Sequence, residues 1–344
     1  KVREIYRNIN LGKDQDFKDN PSARWRNVLL LAFGQKKMFK RMSPAILHLF
    51  VYVGFVIINI EILEIILDGV FGTHRLFAPY IGGLYNFLIG CFEILAALVL
   101  VSCAIFLVRR NIMRIKRLNQ GELKTSFDSI KAYQLKGWPR TDANAILITE
   151  IVLMTLLLTM NAADYNLQQM GAEHYYNTGP AYWVSGLIAP ALSGLSETSL
   201  IIIERTCWWL HIIGIFAFLN YLPYSKHLHI VLAFPNAYYG KLVPQGKMEN
   251  MKEIQNEVLY MMEPDKAPAE AASTEPQRFG AKDVTALGWK NLMDAYSCTE
   301  CGRCTAVCPA NITGKKLSPR KIMMDTRDRV EEVGKNIDKN KTFV

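Results

Sequence analysis

The chain has 344 residues, of which 50% are hydrophobic, and a formal net charge of +9 at pH 7. This length allows two or three domains, and the clustering of the hydrophobic residues excludes a chain that is soluble along its whole length. The positive charge is explained below by membrane topology and contact with anionic lipid, so nucleic acid is not an expected partner.

Four segments contain the roughly 20 apolar residues that a helix needs to cross a bilayer. They are residues 45–67, 84–108, 143–163 and 199–222. A long buried core helix is the alternative for any one of them. Four such segments within about 180 residues predict a membrane domain instead.

Lysine and arginine are unevenly distributed between the loops. Eleven precede the first span and nine lie in 109–142, whereas only Arg75 separates spans one and two, and none separates spans three and four. Because positively charged loops stay in the cytoplasm, both ends of the chain are expected on the cytoplasmic side of a bacterial inner membrane. Residues 1–44 resemble a cytoplasmic segment that follows an earlier span, so a fifth helix is expected before Lys1.

The composition changes after the membrane spans. The transmembrane domain is expected to cover 45–234, with the helix that starts at 199 continuing past Pro223. Residues 235–278 include a stretch rich in Pro, Ala and acidic residues, which is typical of a linker. Residues 279–344 regain helical apolar spacing and form a further predicted domain.

Four of the seven cysteines form one run in that last domain, and a proline follows it: Cys298, Cys301, Cys304 and Cys308. Bacterial ferredoxins hold [4Fe–4S] clusters by this spacing. Zinc usually takes two separated pairs, a redox dithiol needs one C-x-x-C, and a disulfide conflicts with a cytoplasmic location. The other three cysteines lie within the spans and are expected to be core residues.

The last cysteine of such a run ligates the other cluster in two-cluster modules. Either Cys308 completes a single cluster, or a second run lies beyond Val344 or on a partner. We expect a C-terminal continuation, and therefore two clusters in the complete protein and an incomplete domain at 279–344.

Histidines in the spans are candidate haem ligands. His48 lies near the cytoplasmic end of span one, His211 lies inside span four, and His229 follows 18 residues later, which is five turns if the helix is continuous. His48 and His229 then lie at a similar depth, and facing imidazoles in a bundle are the usual ligands of b-type haem. His74 is a further candidate on the outer side, although a solvated interfacial histidine is equally consistent. A hydrogen bond to a neighbouring helix is the alternative for the others.

Acidic residues also occur inside the spans, which is unfavourable without partners. They are expected to pair with one another or with Arg205, although some are candidates for carrying protons to a quinone. These residues are Glu61, Glu64, Glu93, Glu150 and Glu204.

The stretch "LHLFVYVGF" around His48 resembles the histidine-bearing second helix of the respiratory nitrate reductase gamma subunit. The step from His211 to His229 resembles that family's last-helix ligand pair. This resemblance implies one or two b haems, with His48 and His229 holding the one nearer the clusters. Ile58 stands near the position of the family's second histidine on that helix, which is absent here.

The arrangement as a whole resembles the membrane iron–sulfur oxidoreductases related to heterodisulfide reductase, and the membrane ETF:menaquinone oxidoreductases. The stretches "NYLPYSKHLHI" and "YSCTECGRCTAVCPANITGKKLSPRK" carry this resemblance. It implies menaquinone as substrate and a cytoplasmic redox partner, either an electron-transfer flavoprotein or a cysteine-rich iron–sulfur subunit.

The expected fold is an all-α membrane helix bundle followed by a small α-helical ferredoxin-like module. The expected function is electron transfer between a cytoplasmic partner, a [4Fe–4S] centre, haem b and the menaquinone pool, with catalytic residues unknown. The alternative is a haem-containing membrane anchor for a separate catalytic subunit. A transporter is disfavoured because the chain shows no inverted repeat.

Overall fold

A computed structural model describes residues 1–113, 115, 138–175, 181–244, 246–247, 250–266 and 280–341. These residues form helices and contain no strand, apart from an isolated β-bridge between Lys13 and Gly288. The predicted all-α class is therefore confirmed. The chain forms two compact units, and each is described by itself.

The α-helices are numbered in chain order. They are α1 (Val2–Ile9), α2 (Pro21–Asn27), α3 (Met42–Phe71), α4 (Ala78–Ile81), α5 (Gly83–Asn111), α6 (Trp138–Met170), α7 (Ser185–Ile188), α8 (Glu197–Tyr221), α9 (His229–Tyr238), α10 (Lys252–Met262), α11 (Trp289–Tyr296), α12 (Arg303–Ala306), α13 (Pro309–Ile312) and α14 (Pro319–Asn340). A π-helix occupies Val28–Phe33, and 3₁₀ turns occupy Met38–Lys40, Ala189–Leu192, Leu222–Tyr224, Lys226–Leu228, Pro264–Lys266 and Val284–Ala286.

The membrane unit comprises Lys37–His227 and Cys301–Ser318. Within it, α3, α5, α6 and α8 are each long and apolar enough to cross a membrane, and they coincide with the four predicted spans. Helices adjacent in the chain pack side by side, namely α3 with α5, α5 with α6, and α6 with α8. The core between them is formed by branched and sulfur-containing side chains such as Ile58, Val99 and Leu157.

Close packing of α6 and α8 depends on a glycine. A Cβ atom placed on Gly214 of α8 would lie 2.8 Å from Cδ2 of Leu153 on α6. Atoms at that distance overlap, so a larger residue would push the two helices apart or displace the leucine. This contact brings His211, which is three residues before Gly214, next to the backbone of α6.

One prediction about this unit is wrong. Instead of continuing past Pro223, α8 ends at Tyr221, a 3₁₀ turn follows, and Ser225 adopts an extended conformation with φ −108° and ψ 155°. Proline has no N–H to continue the ladder and favours such an interruption. His211 and His229 therefore do not lie on one continuous helix, so the argument that placed them on one face fails.

The second unit comprises Lys1–Lys36, Leu228–Glu300 and Pro319–Val344. In its core, α1 packs against α11 and α14, and Leu292 and Val330 are fully buried there. The Asn8 side chain donates to the Tyr296 hydroxyl at 2.9 Å, and that hydroxyl donates to Glu331 at 2.8 Å. The predicted helix in the C-terminal stretch is confirmed as α14.

A second contact in this unit joins its N-terminal segment to α9. Trp25 and Tyr238 meet edge to face at 5.3 Å, and Phe33 and Phe234 meet at 5.0 Å. The Arg24 guanidinium is buried and donates to the backbone oxygen of Tyr238 at 3.0 Å. The predicted domain boundaries after residues 44, 234 and 278 stay predictions.

Candidate functional site

The cysteine run lies on a loop built from short turns. Cys298 follows the C-terminus of α11, and Cys304 lies within the four-residue helix α12. Two residues adopt left-handed backbone conformations, Glu300 with φ 56° and Gly302 with φ 69°. Glycine adopts this conformation without strain. The loop therefore reverses direction between its cysteines, as a chain that wraps around a compact group must.

The thiols fit the group that their spacing predicts. None of the four cysteines forms a disulfide, Cys304 is exposed, and the other three are partly exposed. No group of three or more His, Cys, Asp or Glu side chains among the described residues lies close enough together to hold a single metal ion. A [4Fe–4S] cube binds each thiolate to a different iron, so its ligands need not converge on one point. The boundary between the two units falls between Glu300 and Cys301.

Two arginines of α14 lie beside the start of this loop. The buried Arg320 donates to the backbone oxygen of Glu300 at 3.3 Å, and Arg327 donates to the Glu300 carboxylate at 2.8 Å. Burial by itself lowers the pKa of Arg327, but the charge of Glu300 outweighs burial and raises it. Cys298 also interacts electrostatically with Arg327. Positive charge at this position stabilises thiolate and added electrons.

His211 has the geometry of a metal-ligating imidazole. Its side chain is 1% exposed, and Nδ1 lies 3.0 Å from the backbone oxygen of Leu153. Because a carbonyl can only accept, Nδ1 carries the proton and Nε2 presents its lone pair. Nε2 is buried and has no hydrogen-bond partner in the described part of the chain. A ligating histidine usually donates its other ring N–H to a carbonyl in this way.

A cavity adjoins His211 inside the membrane unit. Its volume is about 70 Å³. It is lined mainly by apolar side chains of all four long helices, among them Gly54, Ile58, Val99 and Leu153. Glu150 of α6 contributes a carboxyl group. An apolar pocket lined by one imidazole is a candidate position for a flat hydrophobic cofactor.

The other histidines differ in position. His48 is half-buried in α3, one turn before Val51, which lines the His211 cavity. His229 is half-buried at the start of α9, in the second unit. His227 packs its ring against Phe218 with the ring centres 5.1 Å apart. His174 is exposed.

His74 belongs to a buried polar cluster at the end of the bundle where α3 ends and α5 begins. Its Nε2 lies 3.1 Å from Oδ1 of Asp164. We call this group the outer cluster, and it consists of His74, Arg75, Glu61, Glu64, Glu93, Asn161, Asp164, Tyr182 and Glu204. Since Nε2 of His74 is engaged with a carboxylate, we leave His74 out of the ligand set proposed below.

Arg75 is the centre of the outer cluster. Its guanidinium is 3.1 Å from Asp164, donates to Asn161 at 2.8 Å and lies 3.5 Å from Glu61. Burial by itself lowers the pKa of Arg75, but its anionic and phenolic neighbours, Tyr182 foremost, raise it well above the usual range. The arginine is therefore charged, and it draws carboxyl groups from two helices together.

The sequence reasoning missed several of these residues. Arg75 entered it only as a topology signal, and Asp164 and Asn161 at the end of span three were not considered. The sequence signal that could have identified this cluster was the occurrence of Arg75 in a chain with acidic residues inside its spans. The expected pairing of Glu204 with Arg205 is confirmed at 3.1 Å.

Comparison with known proteins agrees with the cysteine chemistry. Residues 250–313 match the family of 4Fe-4S dicluster domains. This match begins inside the stretch expected to be a linker and includes all four cysteines of the run. No solved structure matches the chain.

The curated relatives extend over the membrane bundle as well. The chain is 28% identical over 341 residues, 97% of its length, to the probable iron-sulfur-binding oxidoreductase FadF of Bacillus subtilis, and covers 41% of that protein. It is 25% identical over 307 residues, 88% of its length, to the EtfAB:quinone oxidoreductase of Syntrophomonas wolfei, and covers 37% of that protein.

A shorter match of 39% identity over 46 residues, 13% of the chain and 7% of the relative, is to a probable membrane-anchored ferredoxin of Chromohalobacter salexigens. The chain spans about two fifths of the length of its first two relatives. Fold and site thus define a membrane-capable helix bundle joined to an iron–sulfur dicluster domain, and the relatives of such chains include iron–sulfur oxidoreductases.

Proposed function

We propose that this chain belongs to a membrane electron-transfer protein that passes electrons between a cytoplasmic redox partner and menaquinone. A [4Fe–4S] centre on Cys298, Cys301, Cys304 and Cys308 and haem b in the bundle would connect the two. The observation that carries the proposal is His211, whose unpartnered Nε2 adjoins an apolar cavity in a chain that also has an iron–sulfur domain. Haem and cluster supply one-electron chemistry when bound.

The protein's own residues would hold and tune these groups. Leu153 fixes the tautomer of His211 and increases the basicity of its Nε2. His48 and His229 are proposed as the ligands of a haem near the cytoplasmic side. Arg327 would stabilise the reduced state of the nearby centre through its charge.

Topology and relatives support the remaining parts of the proposal. The lysine and arginine distribution favours a cytoplasmic location of both chain ends in a bacterial inner membrane. The Syntrophomonas wolfei relative is named an EtfAB:quinone oxidoreductase. An electron-transfer flavoprotein is therefore the soluble partner to test first, and menaquinone is the lipid-soluble one.

The test is a measurement of haem, iron and acid-labile sulfide per chain in protein purified anaerobically, with a dithionite-reduced spectrum. We expect a b-type α band together with cluster iron, and loss of haem in His211→Ala. His174→Ala is the matched control because that histidine is exposed. Cluster iron without haem in the unmodified protein would overturn the haem assignment.

A second measurement separates electron transfer to quinone from a membrane anchor without quinone chemistry. Reduced haem in the isolated protein is mixed with a short-chain naphthoquinone, and bleaching of the α band is followed. Bleaching supports the proposed function. Stable reduced haem in the presence of the quinone contradicts it and favours the anchor.

A further inference from the structure

The outer cluster contains more acid than its bases neutralise. Glu61, Glu64, Glu93, Asp164 and Glu204 are each at most 4% exposed. The cations beside them in the described residues are Arg75, the 39% exposed Arg205 and, when protonated, His74. An ionised carboxylate without a counter-charge is costly at such a position, so the cluster must hold at least one proton on a carboxyl group.

Two of these carboxyl groups have a structural role. Glu64 accepts from the backbone N–H of Phe77 and from the Tyr85 hydroxyl, both at 2.8 Å. Glu93 accepts from the backbone N–H groups of Val184 at 2.9 Å and Ser185 at 3.2 Å. Both therefore fix the chain that connects the spans.

Two others are held by charged and hydroxyl partners. Asp164 accepts from Arg75 at 3.1 Å and from the Tyr182 hydroxyl at 2.7 Å. Glu204 accepts from the Tyr175 hydroxyl at 2.8 Å and lies 3.1 Å from Arg205. Hydrogen bonds to a carboxylate favour its ionised form.

Glu61 differs from the other four. Its Oε1 is 3.5 Å from Arg75, the limit of a hydrogen bond, and its Oε2 is buried with no partner among the described residues. It caps no backbone N–H group. Leaving a buried carboxylate oxygen unsatisfied costs about 1–3 kcal/mol or more, so a proton on this carboxyl is favoured. Glu61 is thus the most weakly held acid of the cluster, with one contact at the distance limit of a hydrogen bond.

Glu61 also lies close to the His211 cavity. Ile58, three residues before Glu61 on α3, lines that cavity, and so does Met154 of α6, seven residues before Asn161. On α8, His211 and Glu204 are seven residues apart. Seven residues are two turns and about 10 Å, so both groups lie on the same helix faces. The outer cluster therefore lies about two helical turns from the His211 cavity.

A second cavity lies beside the cluster. Its volume is about 30 Å³, enough for a water molecule, and its lining includes Asp68, Thr73, Arg75 and Arg205. Arg75 both lines this cavity and contacts Glu61. Polar walls of this kind hold water, which conducts protons.

We propose that the Glu61 carboxyl gives and takes the protons that accompany quinone chemistry in this chain, and exchanges them through the outer cluster with the side of the membrane at which α3 ends and α5 begins. Reduction of one quinone takes two electrons and two protons and converts its two C=O groups to C–OH. The electrons come from the proposed relay, and each proton leaves Glu61, which is then reprotonated from the cavity. Quinol oxidation runs the same steps in reverse.

The charges that face Glu61 favour this role. Glu64 lies one turn away on its own helix, Glu93 lies on α5, and Arg75 comes from the loop after α3. Asp164 on α6 shares Arg75 with Glu61, and Glu204 on α8 interacts with Asp164. The single close cation, Arg75, is shared with Asp164, so Glu61 retains proton affinity without being held by a partner.

The inference rests on the proposed function and is tested on the complete protein by redox-induced infrared difference spectroscopy. We expect a protonated carboxyl C=O band that changes on reduction and shifts in D₂O in the unmodified protein. Glu61→Gln should abolish this band. Glu64→Gln, one turn away with both carboxylate oxygens bonded, should retain it.

Kinetics give a second readout. In Glu61→Gln, haem reduction by dithionite should be unchanged, whereas reoxidation of the haem by a short-chain naphthoquinone should slow by about 100-fold or more, the usual size of a proton-transfer contribution. In proteoliposomes containing a pH-sensitive dye, the pH change should occur on the side of the membrane at which α3 ends and α5 begins.

Each result has one meaning. A redox-linked carboxyl band and fast reoxidation that both persist in Glu61→Gln would overturn the proposal. Absence of any such band in the unmodified protein would overturn it even if the variant does not fold. Absence of haem in the unmodified protein is instead a failure of the proposed function, and it is seen in the absorption spectrum before any variant is made.

Discussion

Replacing Arg75 by glutamine should destabilise the membrane unit strongly. The change removes the cation from Asp164 at 3.1 Å and from Glu61 at 3.5 Å, and it weakens the hydrogen bond to Asn161. Its guanidinium is buried, so bulk solvent does not replace these contacts. Breaking a buried ion pair from one side costs about 3–5 kcal/mol, because it leaves an uncompensated charge.

Arg205→Gln is the control for this prediction. That arginine pairs with Glu204 at the same end of the bundle, at the same distance of 3.1 Å, but it is 39% exposed. An exposed pair contributes only about 0–1 kcal/mol. Both variants are compared with the unmodified protein by equilibrium unfolding in detergent micelles. Equal losses of stability in the two variants would refute the reasoning, because burial would then not decide the size of the effect.

Three further predictions concern the second unit. Arg327→Gln should lower the midpoint potential of the centre beside Cys298. The decrease is roughly 60 mV if the lost charge shifts the reduction equilibrium tenfold, and a redox titration followed by electron paramagnetic resonance measures it. Tyr296→Phe should destabilise the unit by about 1–3 kcal/mol, because Glu331 loses a buried donor, and denaturant unfolding tests this. The hydrogen bond from Arg329 lowers the pKa of Asp283. The stabilisation by this bond is therefore present above the unfolded pKa of about 3.9 and is lost as the pH falls below it. In thermal melts, Asp283→Asn should be less stable than the unmodified protein at pH 7 and equally stable at pH 2.

The spans and the cysteine loop were predictable from the sequence, for simple physical reasons. Backbone groups in a bilayer must bond internally, so an apolar run of about 20 residues leaves little choice but a helix. The spacing of the cysteines is set by the local geometry of a loop that binds an iron–sulfur cluster. Both signals lie within short windows of sequence, and tertiary packing does not alter them.

The contacts between distant residues were not predictable. The basic N-terminal stretch gave no sign that Arg24 would be buried against the backbone of Tyr238, because this depends on a chain separation of 214 residues. The prediction that the helix continues past residue 222 was wrong, because it gave the apolar pattern more weight than Pro223 and Ser225. Arg75 and Asp164 are 89 residues apart, and only the bundle brings them together.

The wall of the His211 cavity bears on the number and type of haems. Ile58 lies in that wall, at the position where the resemblance to the nitrate reductase gamma subunit expects a second histidine. Among the described residues that line the cavity, His211 is the sole histidine. A haem held there would take one imidazole from the cavity and be high-spin, whereas the haem proposed for His48 and His229 would take two imidazoles and be low-spin.

Electron paramagnetic resonance of the oxidised protein distinguishes the two types of haem. We expect a high-spin ferric signal that is lost in His211→Ala and a low-spin signal that is lost in His48→Ala. In Ile58→His, which adds an imidazole to the cavity wall, the high-spin signal should convert to low-spin. A low-spin signal alone in the unmodified protein, unchanged by His211→Ala, would show that His211 ligates no haem and that its cavity holds another molecule.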